Sequence, residues 1–213
     1  MPPDKKPQEP ESHPTSGSGR KMSAHDRLLA AGKTLFAENG YEATSTSSIA
    51  SQAGTSESQL VRYFGGKAGL LEAIFNAGWG RLNQNIGSRV ISASTGREAI
   101  LVVLQTMSDA FHSDRDMAKI FLFEGRRIRG AEHEVFISEG FVRFRELLHK
   151  LILRGLADGS FKKKLPEAVV VSALIGCAEG MIRDRMVAEE SGRLEDFTTA
   201  DIAKTVSAIL EGL

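Results

Sequence analysis

The sequence predicts an all-α protein, and three observations carry that prediction. Apolar residues recur at helical spacing in run after run. Hydroxyl or acidic caps stand before those runs, and glycines follow several of them. No stretch alternates apolar and polar residues between hairpin signals, as a half-buried strand would.

Residues 1–20 are rich in Pro, Ser, Glu, Gly and Lys and hold no aliphatic residue after Met1. Such a segment buries too little apolar surface to offset its ordering entropy, so a disordered tail is expected. Lys5, Lys6, Arg20 and Lys21 could make it an arm toward nucleic acid, but Asp4, Glu9 and Glu11 are interspersed, and the plain tail is preferred. Ser23 and Asp26 then have capping-box spacing. Leu28, Leu29, Gly32, Leu35 and Phe36 form the stripe of a first helix, which Asn39-Gly40 should stop in the left-handed conformation.

The chain is organised around Thr44 to Lys67. Thr44, Ser45, Thr46 and Ser47 offer hydroxyls where a helix must begin, and Ile49, Ala50 and Ala53 share one face. Gly54 should end that helix, and Ser56 with Gln59 should cap the next. Leu60 and Phe64, with Val61, are expected inside; Ser58, Gln59, Arg62 and Tyr63 are left outward until Gly65-Gly66 stops the run. A short helix, a tight glycine turn and a second helix with a polar outer face make a helix-turn-helix.

Longer helices should follow. The spacing predicts Ala68 to about Ile91, Arg97 to Phe111, Asp116 to Arg127, Glu132 to Leu156, Pro166 to about Glu190, and a last helix capped by Thr198 and Asp201 that runs to Leu213. Residues 21–67 thus read as a three-helix DNA-binding module and 68–213 as a larger helical domain.

Composition narrows the function. With 27 basic and 27 acidic side chains among 213 residues, charge alone does not advertise nucleic acid, so the case rests on where charges sit. One cysteine, Cys177, excludes an internal disulfide framework and suits a reducing cytosol, and no apolar run approaches a membrane span. A cytoplasmic protein is expected. The five histidines are scattered without an H-E-x-x-H pair, and no nucleophile elbow, phosphate loop or dinucleotide fingerprint occurs. Neither an enzyme nor a metal or cofactor site is expected.

On the second helix of the motif, Gln59 can pair bidentately with adenine and Arg62 with guanine. Thr55, Ser56 and Ser58 are short donors within reach of phosphate or base edges, although Ser56 and Gln59 could equally serve only as caps. Thr44 and Ser45 stand at a helix amino terminus, which favours an anion such as phosphate. The module has only a slight positive excess, so two copies on one duplex are expected.

Phe36, Gly40-Tyr41, Thr44, Ile49-Ala50, Ala53-Gly54, Thr55-Ser56, Leu60, Tyr63-Phe64, Lys67 and Leu70 together resemble the amino-terminal signature of the TetR (tetracycline-repressor-like) transcriptional regulators. Val61 and Glu57 depart from it, standing where many members carry a phosphate-touching tyrosine and a basic or small residue. The resemblance implies that Lys67 and Tyr63 bind phosphate. It also implies a homodimer on a pseudo-palindromic double-stranded operator, released by an unidentified small-molecule effector. The last two long helices would pair with their copies through Ser172, Gly176, Gly180, Ile202, Val206 and Ile209, unless both stripes face the protomer's own core. The helices between would enclose the effector. Candidate lining residues there are Trp79, Met107, Phe111, Phe121 and Glu124, together with Phe141, Phe144, Arg145, Cys177 and Met181. Most of these would be plain core, and for Glu124 an ion pair with Arg145 or Arg183 is preferred to a role toward a ligand.

Overall fold

Serine and threonine side chains set the helix starts. In the computed structural model, which describes residues 22–124, 128–129, 134–135, 137–162, 165–193 and 197–212, Ser23 accepts from the Asp26 amide and opens α1, Ala24–Ala43. Gly40 interrupts α1 with φ 77° and ψ 165°, a positive-φ break inside the helix where a left-handed stop was expected. Ser45 caps α2, Thr46–Gln52, and Ser56 caps α3, Glu57–Phe64, which ends on Gly65 at φ 72°. Then comes α4, Lys67–Val90, whose 24 residues span about 36 Å. Thr95 caps α5, Gly96–Ser113, and Asp114 caps α6, Arg115–Lys119. Ser138 caps α7, Glu139–Ala157; α8 covers Glu167–Ser191; a full capping box at Thr198 and Asp201 opens α9, Thr199–Glu211.

The chain departs from its sequence pattern in one region. The helix expected from Asp116 to Arg127 is α6 followed by a π-helical turn, Ile120–Glu124. The helix expected from Glu132 begins only at Glu139. Before it, β1 (Ile128–Arg129) pairs antiparallel with β2 (Glu134–Val135), Ile128 opposite Val135. Backbone pairing between the two segments competes with the helix there, and no local residue announces it. The tail of residues 1–20, the side chain of Glu124, Lys163-Lys164 and Leu213 lie outside the described residues.

Leu28, Phe36, Ile49, Leu60 and Leu70 are buried where α1, α2, α3 and the start of α4 meet. Gly32 sets the α1–α4 approach: a Cβ there would stand 2.7 Å from Leu70 Cδ2. Beyond it α4, α5 and α7 pack on one another, and α9 lies against α5 and α8. Ile86, Ile100, Val103, Phe144, Val206 and Leu210 fill that second core. No helix among the described residues is long and apolar enough to cross a membrane. Nor, among them, do three or more His, Cys, Asp or Glu gather as metal ligands would.

Candidate nucleic-acid interface

Helix α3 is held by its inner face and its two ends. Leu60 is fully buried beneath it, and the amide of Gln59 donates to Ser56 Oγ at 3.3 Å. The turn before it is clamped by Arg27 of α1, whose Nε donates to Ala53 O at 2.8 Å and Nη2 to Gly54 O at 3.4 Å. Sequence reasoning missed Arg27, because its partners lie 26 and 27 residues away. Val61, expected inside, is 54% exposed: eight residues make little more than two turns, and Leu60 and Phe64 already occupy the side facing α1 and α4.

The outer face carries Ser58, Arg62 and Tyr63 exposed and Gln59 half-buried. Arg62 leans back over the Tyr63 ring, 5.0 Å from its centroid, and donates to its hydroxyl at 3.3 Å. Tyr63 in turn meets His25 edge-on, with ring centroids 5.7 Å apart. Gln59 Oε1 accepts from the Thr55 hydroxyl at 2.7 Å, and Glu57 accepts from Thr46 on α2 at 2.6 Å. Ser56 and Ser58 hydroxyls share a 2.9 Å bond. The short polar residues are therefore bonded to one another in a fixed array, and the guanidinium and amide stand among them.

Two expectations at the helix ends need correction. Thr44 does not face an anion: it is 3% exposed, and its hydroxyl donates to Gly40 O at 2.7 Å and Leu35 O at 3.1 Å. In the run of four hydroxyl residues the cap is Ser45, which is exposed, accepts from the Ser48 amide and remains beside the open helix end. Lys67 does not project toward a phosphate. Its Nζ donates to Tyr41 O and Thr44 O, each at 2.9 Å, and to Glu42 O at 3.5 Å, while resting 4.3 Å from the Tyr41 ring centroid. Its ammonium closes the carboxy end of α1.

The expected effector residues fall into separate places. Trp79 stacks on Phe121 at 4.7 Å and touches Phe141 and Phe144 at 5.4 and 5.2 Å, so these rings fill the interior. Met107 and Phe144 border a void of about 20 Å³. Phe111 and Phe121 floor a cleft of about 140 Å³ between α4, α5 and α6, with Arg81, Asn85 and Asp114 at its rim. Arg145 donates to Ser172 at 3.3 Å, Met181 is half-buried against the core, and Cys177 lines a different groove.

That groove, about 320 Å³ and wholly apolar, runs between α8 and α9 along Leu165, Val169, Ala173, Cys177 and Ile209. Ser172, Gly176 and Ile209 are exposed and Gly180 half-buried. Ile202 and Val206 are 4% and 1% exposed and belong to the protomer's own core. They point from α9 into α5 and α8, which corrects their assignment to a dimer surface.

Asp114 ties the two cores together. It accepts from Lys33 of α1 at 2.8 and 3.0 Å and lies 3.7 Å from Arg81 of α4. Burial works to raise its carboxyl, but the Lys33 bond, the Met117 amide and the nearby cations hold it below the ordinary carboxylate value.

Residues 28–74, which span α2, α3 and most of α1, match the family described as bacterial regulatory proteins, tetR family. Over that segment the chain is similar to the TetR family. It is 29% identical to the HTH-type transcriptional repressor KstR2 of Rhodococcus jostii (strain RHA1), over 73% of this chain and 75% of that one. With the fatty acid metabolism regulator protein of Bacillus subtilis (strain 168) it shares 20% identity over 89% of this chain and 97% of that protein. Among solved structures, the fatty acid degradation regulator FadR from Bacillus halodurans aligns with TM-score 0.76 and 21% identity, covering 90% of this chain and 96% of its own. FadR from Bacillus subtilis in complex with stearoyl-CoA aligns with TM-score 0.74 and 18% identity over 87% and 97%. At those identities the structures establish a common fold. The TetR family and these relatives are transcription regulators, not enzymes.

Proposed function

We propose that this chain is a ligand-responsive transcriptional regulator that acts as a repressor in the cytoplasm. It binds a pseudo-palindromic operator as a homodimer and leaves it when a small-molecule effector binds. The observation that carries this reading is the outer face of α3. Arg62 and Tyr63 are exposed and Gln59 accessible above a fully buried Leu60, within the residues that match the TetR family. Phosphate contacts fall to Ser45, Ser58 and Tyr63, which fix register, while Gln59 and Arg62 read base edges.

Residues 21–67 serve as the DNA-reading module and 68–213 as the effector-binding and dimerisation domain, with 1–20 a tail. The apolar α8–α9 groove supports the dimer. Val169 is 64% exposed, and nothing lies within 4 Å of a Cβ placed on Gly176 or Gly180, so another helix can approach closely. A twofold pair implies half-sites about one helical turn apart or a multiple of it.

For the effector, the related FadR structure in complex with stearoyl-CoA favours a fatty acyl thioester, and an interior of stacked aromatic and aliphatic side chains suits an acyl chain. Ligand sites usually occupy about 300–1,000 Å³, whereas the cleft floored by Phe111 and Phe121 holds about 140 Å³. An effector seated in that cleft therefore parts the Trp79–Phe121 stack. Phe121 sits on the π-helical turn after α6, and Asp114 at the start of α6 grips Lys33 of the DNA module, so that displacement reaches α1. An effector lowers operator affinity only as far as it prefers the displaced shape. The test is release of a labelled operator by stearoyl-CoA, with stearate and coenzyme A as separate arms. Release by the thioester supports the reading; undiminished retention with all three removes this effector class.

A further inference from the structure

The cleft between α4, α5 and α6 joins two chemistries. Gly78, Arg81, Leu82 and Asn85 recur at helical spacing, so one face of α4 lines it. Its floor is apolar, made by Phe111, Met117 and Phe121. Gly78 lets that floor lie close against α4, since a Cβ there would stand 2.7 Å from Met117 Sδ and 2.9 Å from Phe121 Cζ. Phe121 belongs to the π-helical turn, a geometry that recurs at functional sites.

The mouth is cationic. Among the described lining residues only Arg81 and Asp114 carry charge. Lys33 bonds both oxygens of Asp114, at 2.8 and 3.0 Å, and the Met117 amide donates to one of them at 3.1 Å. Arg81 only approaches that carboxylate, at 3.7 Å, and its side chain is 65% exposed. Its guanidinium thus keeps its donors for a further partner, in a planar fork that matches a carboxylate or a phosphate. Asn85 adds a polar group to the same rim.

We propose that this cleft takes an anionic amphiphile, with its apolar chain over Phe111, Met117 and Phe121 and its negative head on Arg81. The assignment rests on the effector reading above and adds the charge the ligand carries and the residue that meets it. The head is a carboxylate or a phosphate, as a free fatty acid or a coenzyme thioester supplies.

Calorimetric titration of the full-length chain with decanoate, decanoyl-CoA, decanol and coenzyme A tests this. The emission of Trp79, the chain's single tryptophan, is recorded in parallel. Trp79 stacks on Phe121, so a ligand on that floor must alter its emission. At least one anionic chain should bind wild type and weaken as salt rises, while decanol stays level. Decanoate doing so identifies a carboxylate head; decanoyl-CoA alone doing so identifies a phosphate. Arg81→Gln should weaken that anionic chain about 3- to 10-fold and decanol by less than about twofold. Arg81→Lys, which keeps the charge, should lose less. Anionic chains whose binding to wild type ignores salt overturn the assignment, whether or not the variants fold, and leave the effector reading standing. So does a folded Arg81→Gln that binds them as wild type does, or binding that leaves Trp79 emission unchanged. Binding of no chain at all removes the assignment and the effector reading together.

Discussion

Lys67→Met keeps the side chain's length and apolar stem but removes the ammonium that closes α1. Three main-chain carbonyls, of Tyr41, Thr44 and Glu42, lose a charged donor, and the Tyr41 ring loses its cation. Hydrogen bonds to a charged group contribute about 1.5–3 kcal/mol net, and a partly exposed cation–π contact about 0.5–1 kcal/mol. Water can reach part of this site and replace part of the loss, so the expected destabilisation is about 1–3 kcal/mol. For a chain of this size that lowers the melting temperature by about 2–12 °C. The assay pairs thermal melting with operator binding across salt concentrations. Because the ammonium is spent inside the protein, the slope of log affinity against log salt should match wild type. A phosphate-bound lysine would instead contribute about 0.9 to that slope in each protomer. Unaltered melting together with a shallower salt slope would refute the reasoning and return Lys67 to the backbone of DNA.

Asp114→Asn should change how stability depends on pH. The folded carboxyl titrates below its ordinary value, so its contribution is complete above about pH 4 to 5 and fades as pH falls through the folded value. Denaturant melts of wild type and the variant should draw together as pH falls through the folded value, below the ordinary carboxylate range; a difference that widens on acidification would contradict this. Val169→Glu places a charge in the apolar α8–α9 groove and should yield monomers in sedimentation at micromolar concentration, with protomer melting little changed. A dimer of wild-type affinity would remove the groove from the interface. Gly32→Val drives a branched side chain into Leu70 and Ile74 and should cost about 1–3 kcal/mol in denaturant unfolding, whereas a change under 0.5 kcal/mol would mean α1 and α4 separate freely.

What was legible in the sequence was local chemistry. Ser23, Ser56 and Thr198 start helices because a side-chain oxygen meets an amide three residues on, and that spacing is visible in one dimension. The break at Gly40 and the stop at Gly65 follow from the conformations only glycine adopts readily. Partners far along the chain were not legible. Arg27 grips Ala53, Lys67 reaches back to Tyr41, and Lys33 meets Asp114 across 81 residues. In the run from Thr44 to Ser47 the sequence does not say which hydroxyl turns inward, and Thr44 is the one that does. The apolar stripe of α9 has the same ambiguity: Ile202 and Val206 face the protomer while Ile209 faces out, and a heptad-like pattern looks identical in either case. Between 124 and 138 the helical spacing persists, yet β1 pairs with β2, since strands of two residues are too short to show alternation.

The central claim is that two copies of α3 read one duplex. Exposing the full-length chain to random duplex DNA and sequencing what it retains addresses that claim most directly. The account requires inverted half-sites, centres about 10 base pairs apart or a multiple of that, with retention that weakens steeply as salt rises. A single unrepeated site, half-sites in direct orientation, or no retention even at low salt would contradict it.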